Sequence, residues 1–409
     1  ILLISCAVIL MLLGVEVFAT AGIVGVIGLV LFLGQPPRQL AYTAFEYLNS
    51  FVLTAIPLFI FMGTIFAATG IVRSLFDAAE KWVSVLPGGM YSALIAVNSV
   101  FGSMCGASVA ASATFGKITY PEMKRLGYNP RIGLGAIAAG GVLSVAIPPS
   151  NLLIIYGAWS DTSVVRLFAA VLIPGIILTL LFMLYVMVRV KLNPNLVPTQ
   201  PKYSWSDRIT SLRDLLPWIG VISIVLGSIF GGIMTPTESA SVGAAASVLL
   251  ALAYRRLTWA ALEESMLTTL KVTSMFAFVI FTAKVLGQVF MQVGATEHFS
   301  SFILSLPFGK YGQLATIGLI YVILAMFVDD FSLLLLSIPF ILPVIHELGY
   351  SSVWFGVFYC MVGETGLITP PFGVNLFALH SVVPDEDLMT IAAGAIPYVP
   401  LMLIVGALI

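Results

Sequence analysis

Charged side chains are scarce in this 409-residue sequence, where 18 Lys and Arg and 19 Asp and Glu make up 9% of the chain. Soluble proteins carry about 25% charged residues, so this composition excludes an ordinary soluble enzyme and a nucleic-acid-binding protein. Three cysteines and three histidines, none at metal-ligand spacing, argue against a disulfide framework and a zinc site. The sequence also has no Walker A motif, so ATP is not the energy source on this chain.

Long hydrophobic runs take the place of charge, since 60% of the residues are hydrophobic. Backbone polar groups in lipid must be satisfied internally, and continuous apolar runs favour helices over a barrel. We therefore predict an all-α polytopic protein of the lipid bilayer with about 10–12 transmembrane helices. The candidate spans are residues 1–33 (dividing near 14–16), 46–70, 89–119, 163–190, 214–234, 238–255, 271–293, 311–328 and 387–409.

Two further apolar stretches, 132–160 and 351–383, are each interrupted by a Pro-Pro pair. A Pro-Pro pair removes two N–H donors and moves the preceding residue out of the helical region, so a helix must end there. Each stretch is either a proline-kinked helix or a re-entrant hairpin with a polar tip. We favour the hairpin, because glycines and small polar residues surround both Pro-Pro pairs.

Basic residues concentrate between residues 189 and 213, which places this loop in the cytoplasm by the positive-inside rule. They are Arg189, Lys191, Lys202, Arg208 and Arg213. The acidic run at 385–387 has no basic neighbour and is weakly indicative of the opposite side.

An internal repeat organises the chain. Pro121, a Leu-Gly-Tyr triplet and a Pro-Pro pair recur at Pro343 and beyond, all offset by 222 residues (343 − 121). Paired proline-interrupted segments are typical of secondary transporters, which bind substrate and ions near the membrane midplane at broken helices. We therefore predict two inverted structural repeats, each with one broken hairpin.

Six segments, in this order and spacing, resemble the large membrane subunit of tripartite ATP-independent periplasmic (TRAP) transporters, the DctM-like subunits. The segments are Phe101–Ser108, Tyr120–Tyr128, Ile147–Ser150, Thr235–Glu238, Asp329 with Pro339 and Pro343, and Gly366–Phe377. They extend over most of the chain, from about residue 46 to 383.

The resemblance implies a multi-pass subunit of the bacterial inner membrane that imports an organic acid anion with sodium. Its expected partners are a small four-helix membrane subunit (DctQ-like) and a periplasmic substrate-binding protein, and its expected motion is an elevator movement of a transport domain against a scaffold. The predicted divisions are scaffold helices in 1–88, a transport half in 89–162, scaffold and connecting helices in 163–293, a second transport half in 294–386 and a C-terminal helix in 387–409.

Sodium prefers oxygen ligands, and oxygen-bearing residues cluster near both Pro-Pro breaks. The predicted sodium ligands, by side chain or backbone carbonyl, are Ser103, Gly106, Ser108, Pro148, Asp329, Gly366, Thr369, Pro370 and Asn375. The predicted substrate-binding residues are Pro149, Ser150, Asn151, Gly373 and Asn375. For each Ser and Thr, the alternative to a ligand role is helix packing or a hydrogen bond from the hydroxyl to a backbone carbonyl of its own helix.

Several assignments stay open. Asp329 and Asp330 end an apolar run, and each is either a functional acid inside the membrane or a residue at an interface or a helix N-terminus, with Asp329 favoured by its match to the family. Glu364 faces the same choice, and as a functional acid it would be a counter-charge or a proton carrier. Thr235 with Glu238 predicts a capping box, against a direct ion or substrate role. Where the family usually has Gly-Ser-Ser, this chain has Gly-Ala-Ser at 106–108, which weakens any ligand borne by the first hydroxyl. The alternative function is a stand-alone ion-coupled symporter or antiporter of similar fold that needs no binding protein.

Overall fold

The computed structural model describes residues 2–83, 85–198 and 203–409, and these residues form helices joined by short turns. Of five residues inside helices it describes the backbone alone: Ile4, Val8, Leu12, Ser103 and Cys105. Within the described chain, seven helices are long and apolar enough to cross a membrane, or eight if a pair bent by 66° at residues 49–51 counts as one span. The predicted all-α membrane architecture is confirmed.

The helices of the first half are α1 (Leu2–Leu12), α2 (Val17–Ile27, extended by a π-helical turn Gly28–Phe32), α3 (Arg38–Leu48), α4 (Ala55–Ala68), α5 (Ile71–Val83), α6 (Met90–Cys105), α7 (Ser108–Arg125), α8 (Pro130–Ala146), α9 (Asn151–Trp159) and α10 (Val164–Leu192). Those that follow are α11 (Trp205–Phe230), α12 (Pro236–Ala253), α13 (Trp259–Gln292), α14 (Ala295–Leu304), α15 (Gly309–Ala325), α16 (Asp330–Glu347), α17 (Ser352–Leu367), α18 (Val374–Val382), α19 (Leu388–Ala395) and α20 (Val399–Leu408).

The helix bounds recur at the spacing of the sequence repeat. Adding 222 to the bounds of α7, 108–125, gives 330–347, which are the bounds of α16. Adding 222 to the bounds of α8 (130–146) gives 352–368, and α17 ends one residue earlier, at 367. Adding 222 to the bounds of α9 (151–159) gives 373–381, and α18 begins and ends one residue later. The helices α6–α9 of the first half and α15–α18 of the second therefore follow one plan.

The chain reverses direction at residues 106–107, between α6 and α7, and not at the Pro-Pro pair as the sequence predicted. A Cβ at Gly133, near the start of α8, would lie within 4 Å of both Tyr91 and Met123, from the start of α6 and the end of α7. The Phe101 and Phe115 rings are also in contact, with centroids 5.4 Å apart. Helices α6 and α7 thus lie side by side along α8 as a hairpin. The segment 89–119, predicted as one span, instead contains the first arm, the turn and most of the second arm.

Residues 326–329 form the corresponding reversal between α15 and α16. The α15 arm lies beside α17, because a Cβ at Gly366 would sit 2.5 Å from the Ala325 Cβ. The start of α16 reaches the same helix, where the Tyr359 hydroxyl donates to the Asp330 carbonyl at 2.6 Å. We call residues 106–107 tip one and residues 326–329 tip two.

The Pro-Pro pairs interrupt helices that cross the protein. Helices α8 and α9 together form one 30-residue candidate span, 130–159, so the predicted hairpin at 132–160 is wrong. In the second half, α17 begins at Ser352, which accepts a hydrogen bond from Tyr156 at the far end of α9. Its continuation α18 ends near Glu386, which pairs with Lys124 at the opposite side of the molecule. The predicted hairpin at 351–383 is therefore also wrong.

These contacts place the bases of the two hairpins on opposite sides. Tyr91 and Asn129, at the base of α6–α7, both bond to the Leu196 carbonyl in the basic loop, whose Lys202 lies outside the described residues. Because Glu386 pairs with Lys124 at this same base, the acidic run lies on the side of the basic loop. The expectation that it marks the other side is wrong, and the pairing of Glu386 with Lys124 shows that an acidic run without basic sequence neighbours can still have a cation beside it.

Candidate functional site

Tip one touches the helix break of its own half, residues 147–150, which we call break one. Gly106 ends α6 with φ +64°, a conformation that suits glycine. A Cβ there would lie 2.6 Å from the Asn151 side-chain nitrogen at the start of α9. Ser108, which begins α7, and Asn151 are each 1% exposed. A small polar centre is thus enclosed where the hairpin meets the broken helix.

Tip two meets break two, residues 368–373, in the same way. The Gly373 amide donates to the Met326 carbonyl at 3.1 Å, which joins the end of the break to the start of the tip. The Asp329 carboxylate accepts from the Ser332 amide at 2.9 Å and caps α16. Asn375, in the first turn of α18, is fully buried.

A buried acid joins the two centres. The Glu364 carboxyl on α17 is fully buried and faces both the Asp330 carboxyl and the Ser108 hydroxyl. Ser108 belongs to tip one and Asp330 to the start of α16, so elements of both halves converge on one side chain. Asp330 is itself only 2% exposed. The two halves therefore share a polar interior at membrane depth.

Many polar atoms of this interior make no well-formed hydrogen bond within the described chain. They belong to Asn98, Ser108, Ser112, Ser144, Asp330, Ser332, Glu364 and Asn375. Buried polar atoms are normally paired, because an unpaired one costs about 1–3 kcal/mol. Their oxygens suit a small hard cation or water, whereas no group of three His, Cys, Asp or Glu side chains in the described ranges could hold a transition metal.

The structure brings most predicted site residues to the two centres. Gly106, Ser108, Pro148, Pro149, Ser150 and Asn151 lie at tip one and break one, while Asp329, Gly366, Thr369, Pro370, Gly373 and Asn375 lie at tip two and break two. The predicted ligand Ser103 is on α6, and its side chain lies outside the described residues.

Three of these residues also have an ordinary structural role. Ser150 caps α9 by accepting from the Leu153 amide at 3.5 Å, and Asp329 caps α16. The Thr369 hydroxyl donates to the Thr365 carbonyl at 2.6 Å, the intrahelical bond that was the alternative for each hydroxyl. Each oxygen keeps free acceptor capacity, so these bonds and a ligand role are compatible.

Sequence reasoning missed Asn98, Ser112, Ser144 and Ser332 as members of the polar interior, whereas Asp330 was a candidate functional acid beside Asp329. The four missed residues lie inside helices rather than at the proline breaks around which the predicted ligands cluster. The available signal was helical spacing: Ser108 and Ser112 are four residues apart and therefore share one face of α7.

Two further groups of polar side chains have a structural role. Thr235 and Glu238 form a full capping box at the start of α12, with the Thr235 amide donating to the Glu238 carboxylate at 2.8 Å. The Lys284 ammonium lies 3.5 Å from the ring centre of Trp159 and 4.0 Å from that of Tyr47. A cation held between two aromatic faces is stabilised by their quadrupoles.

Comparison with known proteins shows which family the chain resembles. The family described as "Tripartite ATP-independent periplasmic transporter, DctM component" matches residues 4–409. The chain is 31% identical over 386 residues to the C4-dicarboxylate TRAP transporter large permease protein DctM of Pseudomonas aeruginosa, covering 94% of this chain and 89% of that protein. It is 28% identical to the sialic acid TRAP transporter large permease protein SiaM of Vibrio cholerae, covering 88% and 84%.

A solved structure shares the fold. The YdaH transporter of Alcanivorax borkumensis superposes with a TM-score of 0.60 at 14% identity, covering 91% of this chain and 87% of that one. Together with the matched family and relatives, this places the chain among multi-pass transporters of the bacterial inner membrane rather than among enzymes. The chain belongs to the DctM component family, the large permeases of tripartite ATP-independent periplasmic transporters.

Proposed function

We propose that this large permease is a sodium-coupled importer of an organic acid anion. The observation that carries the proposal is the pairing of each helix break with a hairpin tip, around buried oxygens that lack partners within the described chain. Broken helices offer carbonyls to a cation and N–H groups to an anion at the membrane midplane. Sodium at one or both centres would satisfy the oxygens and make transport depend on its gradient.

The family match supports the remaining parts of the proposed mechanism. A tripartite transporter implies a small membrane subunit and a periplasmic binding protein that delivers the anion. In the proposed cycle, the helices α6–α9 and α15–α18 move together as an elevator against a scaffold that includes α4, α12 and α13. The substrate class follows from relatives named for C4-dicarboxylate and for sialic acid, which are both organic acids.

Sodium binding is tested by thermal unfolding of the purified complex in NaCl and in KCl at equal ionic strength. A ligand that binds the folded state stabilises it by about 2.7 kcal/mol at 100 times Kd. We expect a saturable stabilisation specific to sodium, reduced in Asn375→Ala, which removes a buried amide at the second centre.

Asn195→Ala is the matched control, because this asparagine is exposed in the basic loop. It should keep the full sodium response. Equal midpoints in both salts, or an unchanged response in Asn375→Ala, would contradict sodium binding at the second centre. Uptake into proteoliposomes with and without the binding protein then separates the tripartite importer from a stand-alone symporter.

A further inference from the structure

A cavity of about 750 Å³ lies between the α6–α7 hairpin and the helices α4, α5 and α13. Its wall on α7 runs from Ala110, next to tip one, to Arg125 at the hairpin base. At 1.5 Å per residue these positions are about 22 Å apart. We call this space the basic vestibule, because Arg73, Lys117 and Arg125 line it.

The mouth of the vestibule faces the side marked by the basic loop. Arg125 lies at the base of the hairpin, where Asn129 bonds to the Leu196 carbonyl of that loop. The inner end reaches Ala110, two residues from Ser108 in the candidate ion centre. Ser108 itself does not line the vestibule, because positions two apart lie on opposite faces of a helix, so the vestibule extends from the level of tip one to the predicted cytoplasmic side.

Charge within the vestibule is unevenly paired. Arg125 forms a salt bridge with Glu122 at the mouth. Lys117 and Arg73 are exposed, and the side chain of neither makes a hydrogen bond or salt bridge with another described residue, although Asp77 and Glu122 interact with Arg73 at longer range. With Glu264 as the other acid, the lining holds three cations and two carboxylates and keeps one net positive charge.

Lys117 is the deepest of these cations. It lies eight residues before Arg125, which is about 12 Å along α7 from the base toward tip one. Ionisable side chains at membrane depth face water-filled cavities and mark substrate pathways. An ammonium is a compact charge on a flexible stem, which suits anions of different shape better than a rigid guanidinium fork does.

We propose that Lys117, together with Arg73 on α5, forms an anion-binding subsite inside the basic vestibule. The carboxylate or sulfonate of the transported acid rests there on its way between the candidate ion centre and the cytoplasm. The inference rests on the proposed function for its role in transport, but the binding of anions by the vestibule stands on the geometry. Because Lys117 is on the hairpin and Arg73 is on α5, elevator movement changes the distance between the two cations and releases the anion.

The electrostatic part is tested without knowing the substrate. In a variant free of native thiols, Thr114→Cys places one thiol in the vestibule, three residues from Lys117 on the same helix face. The assembled complex, in inside-out membrane vesicles, is labelled with the anionic sulfonate MTSES or the cationic ammonium MTSET. The quantity measured is the ratio of the two labelling rates.

We expect Lys117→Ala to lower the MTSES/MTSET ratio about tenfold, because removing one nearby charge slows the anion and speeds the cation. Adding Arg73→Ala to this variant should lower the ratio further, whereas Lys117→Arg should preserve the wild-type ratio. Lys310→Ala, at the base of the other hairpin, should leave it unchanged. An unchanged ratio in Lys117→Ala, or a thiol that neither reagent reaches, would overturn the subsite.

Transport supplies the second readout. If the subsite serves transport, Lys117→Ala should raise the half-saturating substrate concentration for uptake severalfold, and Lys117→Arg should keep it near the wild-type value. A changed labelling ratio with unchanged uptake kinetics would overturn the role in transport. Failure of the proposed function gives a different result: no sodium-driven uptake by the wild type, while the labelling ratio still depends on Lys117.

Discussion

In each half of the molecule a hairpin arm packs closely against the helix that crosses the protein. The glycine that permits this contact is on the arm in the first half and on the crossing helix in the second. In the first half, Gly102 on α6 packs against Ser144 on α8, and a Cβ on Gly102 would lie 2.4 Å from the Ser144 Cβ. In the second half, the position of Gly102 is Leu324 (102 + 222) and that of Ser144 is Gly366 (144 + 222). Gly366 packs against the same turn of α15.

The exchange shows what the shared plan requires. A hairpin arm can approach the crossing helix closely if either helix lacks a Cβ at the contact, so the glycine is free to change sides. The chemistry of the centres is less constrained still. Asp329, Asp330 and Glu364 occupy the positions of Ala107, Ser108 and Val142 (each minus 222), so all three acids belong to the second half.

The largest expected effect comes from filling these contacts. In Gly366→Ala the new methyl would lie 2.6 Å from the Val322 carbonyl oxygen, and in Gly102→Ala 2.6 Å from the Ser144 Cα. Because backbone cannot rotate away, we expect each change to lower the free energy of unfolding by about 1–3 kcal/mol. Chemical unfolding of the purified complex measures the loss.

A double substitution sharpens the same comparison. Gly102→Ala with Ser144→Gly recreates in the first half the arrangement of the second, and it should recover at least half of the lost stability. Gly220→Ala is the control, because no atom lies within 4 Å of its added Cβ. If Gly102→Ala were as stable as Gly220→Ala, the close contact would not be a requirement of the fold.

Local signals in the sequence predicted much of this architecture. The division of the first span near residues 14–16, the capping box at Thr235 and the end of a helix at each Pro-Pro pair follow from short-range rules, because each rests on the residues of a single turn. The repeat offset of 222 came from matching two distant segments of the sequence, which also needs no tertiary information.

The location of the hairpins could not be predicted in this way. A Pro-Pro pair ends a helix, but it does not determine the direction in which the chain continues. Direction is set by which faces pack together, and here α8 is buried along its whole length between α6, α7 and α19. The glycine at 106, followed by Ala and Ser, was the weaker but correct signal for a reversal.

The convergence of both halves on Glu364 also could not be predicted from the sequence. Ser108 and Glu364 are separated by 256 residues (364 − 108), and only the packing of α7 against helices of the second half brings them together. Hydroxyls inside an apolar helix look alike in the sequence whether they bond to their own backbone or face a polar centre.

An effect of intermediate size is expected from a hydrogen bond that stabilises tip two and has no equivalent at tip one. The Tyr359 hydroxyl donates to the Asp330 carbonyl at tip two, whereas the equivalent position in the first half is Ile137 (359 − 222) and has no donor. We expect Tyr359→Phe to cost about 1 kcal/mol of stability, because a buried acceptor loses its partner. Thermal unfolding measures the cost.

Tyr398→Phe is the matched control for this change. Tyr398 is 1% exposed, and its hydroxyl has no hydrogen-bond partner within the described chain. Removing that hydroxyl should leave stability unchanged or slightly raised. Equal losses in both variants would mean that the Tyr359 bond does not fasten tip two.

The smallest expected effect concerns the hairpin bases. Lys124 at the base of the first hairpin donates to Glu386 of the second half at 2.8 Å. The equivalent of Lys124 is His346 (124 + 222), which bonds to Ser352 of its own half instead. A salt bridge between the halves is thus present at the first base, and at the equivalent position of the second base it is replaced by a hydrogen bond within one half.

The pH dependence of this salt bridge has a definite sign. The hydrogen bond from Lys124 holds the pKa of the Glu386 carboxyl below its ordinary value of 4.5. A lowered folded-state pKa contributes stability that is present above the unfolded pKa and lost as pH falls through the folded one. Between neutral pH and about pH 3, the wild type should therefore lose slightly more thermal stability than Glu386→Gln.

The difference should be small, because half of the Lys124 side chain is exposed and solvent screens the pair. Added salt provides the decisive comparison. At 1 M ionic strength the Debye length is about 3 Å, so the attraction across the 2.8 Å pair is weakened and the difference in pH response between wild type and Glu386→Gln should shrink. Glu263→Gln, on the exposed face of α13, should match the wild type throughout. A pH response that Glu386→Gln leaves unchanged at low salt would show that the pair of Lys124 and Glu386 contributes nothing to the stability of the contact between the halves.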